Sequence, residues 1–152
     1  MLTDEIIYFF QKQGFVIAST TDKDGTPHNS CKGIVKIDKN KNEIYLLDLY
    51  KTKTHENLKR DTNISITAVD EHKFIGYCIK GRAKTIKKDR LKPHIVKAWE
   101  ERIVHRVTDR IIKNIHGEKG HPRHPEILLP KPEYLIIVQV KEVVDLTPHA
   151  LK

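Results

Sequence analysis

Apolar and polar positions along this chain fall into short runs up to Ile86. After Lys87 the apolar residues recur every four positions instead. The first segment predicts a helix. Thr3 is placed to cap it, Asp4 and Glu5 fill its first turn, and Ile6, Ile7, Phe9 and Phe10 supply an apolar side. Gly14 is placed to stop it. Strands are then predicted over 15–21, 28–38, 43–50, 63–69 and 74–86, separated by turn residues such as Asp24-Gly25. Within 28–38, Lys32, Ile34 and Lys36 alternate with Gly33, Val35 and Ile37, which puts the two sets on opposite faces. Gly81 marks a bulge in the fifth strand. Ile95, Trp99, Ile103, Val107, Ile111 and Ile115 form a helical stripe, with Pro93 in its first turn and Gly117 at its end. Thr108 is placed to cap a restart, which would make two helices. A loop over 117–133 leads to a β-prone sixth strand over 134–146.

Short strands with turn signals and few helices predict a mainly β chain with α. The expected architecture is a six-stranded antiparallel split β-barrel. It has an N-terminal helix, a short helix after strand 3 and a long helix before the last strand, which covers one side or an opening. The length of 152 residues predicts a single domain over 1–152.

Composition narrows the function classes. The chain is 38% hydrophobic and 32% charged, with no run long and apolar enough to span a membrane. The start, MLTDEIIYFF, has acids where a secretory signal has a basic region, and reads as mature sequence. Cys31 and Cys78 make no disulfide framework, so a reducing cytoplasm is expected. The net charge is +8. Residues 80–113 carry 12 Lys and Arg against 4 Asp and Glu, which equals the whole excess. Such a surface favours anionic partners. A nucleic-acid-binding barrel is the reading this charge alone suggests, but no aromatic stacking ladder accompanies it.

No Walker or Rossmann phosphate loop, zinc-ligand spacing or serine elbow is present. The distinctive stretch is TKTHENLKRD, residues 52–61, between the third and fourth strands. Thr54 is placed to cap a helix HENLKRD, whose first amides would be open to an anion beside Lys53. A terminal phosphate fits that set, and so does a plain capped turn.

The order of elements resembles the FMN-binding split-barrel superfamily, the pyridoxamine 5'-phosphate oxidase-like proteins. The resemblance is carried by GFVIASTTDKDGTPHNS, EIYLLDLY, TKTHENLKRDTNISITAV and YCIKGRAKTI, and is strongest to the small bacterial FMN-binding proteins. It implies a homodimer with FMN at the interface. Lys53 and Thr54 would hold the phosphate. Asn29, Ser30, Cys31 and Lys32 would lie along the ring, partly through backbone groups. Leu47, Asp48 and Leu49 would sit near its polar edge, and Asn57 would anchor the short helix or the phosphate loop. The activity implied is an FMN-dependent oxidoreductase of unknown substrate, with a nicotinamide or a protein as electron donor. A non-catalytic electron carrier or flavin-storage protein is the alternative, and a deazaflavin or haem would suit the same barrel. No Trp or Arg follows Arg123, which speaks against vitamin B6 oxidation.

Several residues read more simply. Cys31 reads as an ordinary strand residue before a flavin contact, Trp99 as a core or dimer contact before a flavin-stacking residue, and Tyr50 as either a neighbour of the ring or a common strand-end tyrosine. His116, His121 and His124 lie in a Gly/Pro loop, and no metal site is expected there.

Overall fold

The computed structural model describes residues 1–118, 121 and 123–151. Helix α1 spans Asp4–Lys12, and Thr3 Oγ1 accepts the Ile6 amide at 3.3 Å as its cap. The strands are β1 (Val16–Thr21), β2 (Pro27–Asp38), β3 (Glu43–Asp48), β4 (Asn63–Asp70), β5 (Ile75–Lys87) and β6 (Tyr134–Asp145). They close into an antiparallel barrel in the order β1-β2-β3-β6-β5-β4, with β4 paired back onto β1. Helix α2 is Lys53–Arg60 and helix α3 is Pro93–Ile115. A 3-10 turn at Pro125–Leu128 lies in the segment before β6.

Two apolar clusters divide the strands by face. Phe10, Ile34, Ile44, Leu46, Ile66, Ile79, Ile136 and Val138 fill the barrel. Tyr45, Leu47, Leu135 and Ile95 form a second cluster outside it, with Val35, Ile86 and Trp99 packed against them. Strand β3 is therefore buried on both faces, core on one side and α3 on the other. That is why EIYLLD reads as a continuous apolar run rather than an alternation.

Four details differ from, or refine, the pattern in the sequence. Ile34 pairs with Leu46 and Lys36 with Tyr45, so Val35 is an extra residue in β2. The bulge moves Ile37 to the core side with Ile34, and Val35 to the α3 side, so Val35 and Ile37 do not share a face. Gly81 does sit at a register shift. The extra residue is Lys141 on β6, and a Cβ at Gly81 would collide with the Gln139 carbonyl. Helix α3 is one continuous helix, not two. Thr108 Oγ1 donates to the Val104 carbonyl at 2.9 Å, the back-bond of a hydroxyl inside a helix. The stripe also leaves the barrel: Ile95 is buried, whereas Ile111 and Ile115 are exposed. A strict spacing of four drifts by about 40° per step around a helix of 3.6 residues per turn. Gly117, at φ 75°, follows the helix as expected.

Candidate functional site

Helix α2 is built differently from its sequence signal. It begins at Lys53, so its N-cap is Thr52, and the Thr52 side chain makes no capping bond. Thr54 is not the cap. It lies within the first turn, fully buried, with its hydroxyl 2.9 Å from Ser30 Oγ on β2. The competing structure is that tertiary contact, which draws the hydroxyl inward and starts the helix earlier. Asn57, 2% exposed, is the second fastening. Its Nδ2 donates to Thr20 Oγ1 at 3.1 Å and to Asp22 Oδ1 at 2.7 Å, and its Oδ1 accepts from Arg60. Asn57 thus ties the helix to β1 and to the turn after it. Lys53 stays half exposed, its ammonium 3.9 Å from Asp22 Oδ2. The first turn of α2 therefore has no side-chain cap and carries a half-exposed cation, a combination that suits an anion.

Behind this turn lies a buried polar network. Lys32 Nζ meets Asp48 Oδ2 at 2.5 Å, and both side chains are nearly out of solvent. The Tyr134 hydroxyl donates to the same Oδ2 at 2.6 Å, and the Tyr50 amide donates to Oδ1 at 3.3 Å. Burial and then the Asp48 carboxylate push the Tyr134 phenol far up. His55 packs edge-on to Tyr134, with ring centroids 4.6 Å apart. Its Nδ1 is buried without a partner among the described residues, and burial, Lys59 and Lys51 hold its pKa down.

The outer faces of β2 and β3 floor a cavity of about 300 Å³. Cys31, Lys32, Leu47, Asp48 and Leu49, all named from the sequence, line it together with Tyr50. Asn29, Ser30, Lys53, Thr54 and Asn57 do not. Asn29 instead accepts from the Ser19 hydroxyl at 2.6 Å, across the β1–β2 pair. The split on β2 is one of position along the strand: Cys31 and Lys32 reach the cavity, whereas Asn29 and Ser30, nearer the start of the strand, do not.

The long helix covers an opening, as its sequence predicts; the charged residues of the cavity roof are not singled out by the sequence pattern. Trp99, Arg102, Ile103 and Arg106 of α3 form it, with Pro125, Glu126 and Leu129. Trp99 serves both the outer cluster and the cavity wall. Arg102 donates to the Gln13 carbonyl at 2.7 Å and Arg106 to the Gly14 carbonyl at 3.3 Å. The Arg106 guanidinium also lies 4.0 Å from the Phe15 ring centre. Glu126, 6% exposed, takes a two-pronged pair from Arg110, with Arg106 Nε at 3.8 Å. The Arg110 hydrogen bonds hold the Glu126 carboxyl down at about 2. The available signal was the spacing of Arg102, Arg106 and Arg110 at every fourth residue, which places three cations along one side of a helix.

His116, His121 and His124 form no metal-binding group among the described residues. Lys119, Gly120 and Pro122 of the same loop lie outside the described residues. No helix among the described residues is long and apolar enough to cross a membrane.

Comparison with known proteins places this architecture. The chain superposes on HupZ from Group A Streptococcus with a TM-score of 0.65 at 17% identity, covering 97% of this chain and 95% of that one. A pyridoxamine 5'-phosphate oxidase-related, FMN-binding protein from Nostoc punctiforme gives 0.59 at 13%, covering 91% and 78%. An F420 reductase gives 0.55 at 10%, covering 86% and 88%. At these identities the likeness is one of fold. No curated protein matches the chain. The family model of pyridoxamine 5'-phosphate oxidase matches residues 2–129. The barrel and that match together establish that the chain belongs to the pyridoxamine 5'-phosphate oxidase family.

Proposed function

We propose that this chain binds FMN and works as a flavin-dependent oxidoreductase. The observation that carries the reading is the first turn of α2. Its amides are uncapped, Lys53 stands at its start, and the turn is fastened to β2 through Thr54 and Ser30 and to β1 through Asn57 and Thr20. A phosphate wants a cation and free amides on a rigid support, and this turn supplies them. Lys53 and the backbone at Thr54 would hold the phosphate. Thr54 and Ser30 would act as braces, since their hydroxyls already engage each other. The strand residues Cys31, Lys32, Leu47, Asp48 and Leu49 would flank the ring within the adjoining cavity. Bound FMN would supply hydride and single-electron transfer.

A homodimer with the flavin near the interface fits the same surface. Phe15, Ile17 and Tyr50 remain exposed at 55%, 39% and 53%, and Phe15 and Tyr50 border the cavity. A second copy would cover them. Sedimentation of the chain with and without FMN tests this.

A non-catalytic electron carrier is the second reading, favoured by one observation. Both carboxylates that line the cavity are engaged by cations, Asp48 by Lys32 and Glu126 by Arg110, so neither is free as a base. Saturable turnover with a small substrate would exclude it.

The experiment is an absorbance titration with FMN, followed by desalting. Retained flavin bands are expected. Lys53→Ala should weaken FMN binding by about 1.5–3 kcal/mol, the size of a lost charge-assisted contact. Failure of the wild-type chain to retain FMN would overturn the reading. Titration with a deazaflavin in parallel separates the two cofactors.

A further inference from the structure

The cavity has charges on both walls, and all but one are compensated by the protein. Lys32 is matched by Asp48 at 2.5 Å. Arg106 and Arg110 share Glu126. Arg102 has no ion-pair partner among the described residues, and its hydrogen bond is to a neutral acceptor, the Gln13 carbonyl. A guanidinium has five N–H donors. One carbonyl leaves most of them unused.

The position of Arg102 makes this costly. It is half buried on the α3 wall, and burial, followed by the nearby Arg106 charge, lowers its pKa. A partly desolvated cation beside another cation gains from an arriving anion, because the protein has already removed part of its water. Apart from these mutually paired charges the wall is apolar and partly aromatic, with Phe15, Leu47, Leu49, Trp99, Ile103 and Leu129 around the space. An apolar surround with one convergent cation is a recognition site for a flat apolar body that bears one anionic group.

We propose that the cavity between β2, β3 and α3 binds a small aromatic or otherwise flat carboxylate, with Arg102 as the residue that selects its charge. A carboxylate matches the planar fork of a guanidinium, which a lysine at this place would not reproduce in full. The plain alternative is that Arg102 only ties α3 to the α1–β1 link through Gln13. That tether needs a donor but no charge, so the two readings differ in what a neutral ligand should do. The proposal goes beyond the flavin reading and does not rest on it: the carboxylate is placed on the α3 wall of the same cavity, beside a flavin ring on the β2–β3 floor where one is bound, and the flavin-free chain tests it alone.

Trp99 is the sole tryptophan of the chain and lines the cavity, so its fluorescence reports binding there. The full-length chain is titrated with benzoate and with benzamide, which has nearly the same shape and no charge. Benzoate should bind about tenfold to a hundredfold more tightly than benzamide. Arg102→Met should erase that preference, and Arg102→Lys should keep part of it. Arg102→Gln retains a donor for the Gln13 carbonyl and serves where methionine loosens the fold; it should erase the preference too. Absence of benzoate binding, equal binding of the two ligands, or a preference that survives Arg102→Gln would overturn the proposal. FMN retention is measured separately. Loss of FMN binding with the benzoate preference intact would sink the flavin reading alone.

Discussion

The floor and the roof of the cavity each contain one buried carboxylate, and the two are held by different means. On the floor, Asp48 ends β3 and takes Lys32 and Tyr134 from β2 and β6, the two strands paired with β3. All three sit in the closed hydrogen-bond ladder of the barrel. On the roof, Glu126 lies in a 3-10 turn outside the sheet, and Arg106 and Arg110 reach it from α3. The floor charges are positioned by the barrel, whereas the roof is positioned in good part by its charges. The floor should therefore fail only with global unfolding, and the roof should open locally.

The largest effect that follows is on the floor. Asp48→Ala strands the Lys32 ammonium and the Tyr134 hydroxyl in a buried place, and should cost about 3–5 kcal/mol in denaturant unfolding. The pairing of Lys32→Met with Asp48→Leu removes both charges together and should cost far less than the single change. Equal losses in the single and double variants would mean that the site is tolerant of a stray charge, and the contrast with the roof would disappear.

The roof should respond less globally and more to acid. Glu126→Gln should raise amide exchange in residues 123–133 while exchange in β3 and β6 stays unchanged, with a global loss of about 1 kcal/mol. The acid dependence has a definite sign. The Glu126 carboxyl has its folded pKa lowered from 4.5 to about 2 by Arg110. Its contribution is complete above the unfolded value and is lost as pH falls from 4.5 towards 2. Roof exchange in the wild-type chain, taken relative to the intrinsic rate at each pH, should rise across that window, and in Glu126→Gln it should be flat. A rise of equal size in β3 would show that floor and roof unfold as one.

The same contrast explains what could be read from the residues alone. The strands and their succession along the chain follow from runs such as EIYLLD and from turns such as DKDG, whose signals are local. Cys31, Lys32, Leu47, Asp48 and Leu49 came with them, because they are successive positions on, or just past, two paired strands that border the cavity. The misreadings arose where a long-range contact overrode a local one. Thr54 reads as a cap until Ser30 claims its hydroxyl. Thr108 reads as a cap until the helix runs through it. The bulge falls at Val35, an apolar β-branched residue that is not itself a bulge signal. The roof was hidden for a further reason. Arg102, Arg106 and Arg110 looked like part of a basic helix face, and what distinguishes them is Glu126, 16 residues beyond Arg110, together with two carbonyls at the end of α1.

The smallest predicted effect concerns the helix that borders the floor, and it separates stability from binding. Thr52 is the N-cap of α2 and makes no side-chain capping bond. Thr52→Asp would supply that bond and a negative charge at the positive end of the helix, and should stabilise the chain by about 0.5–1 kcal/mol. The same carboxylate would occupy the amides proposed for phosphate and repel it, so FMN affinity should fall as stability rises. A variant that gains stability and keeps its affinity would leave Lys53 without the help of the helix terminus and move the phosphate elsewhere on the barrel. A loss in both would mean that α2 needs its first turn uncapped in order to dock on Ser30, which makes the open terminus a consequence of packing.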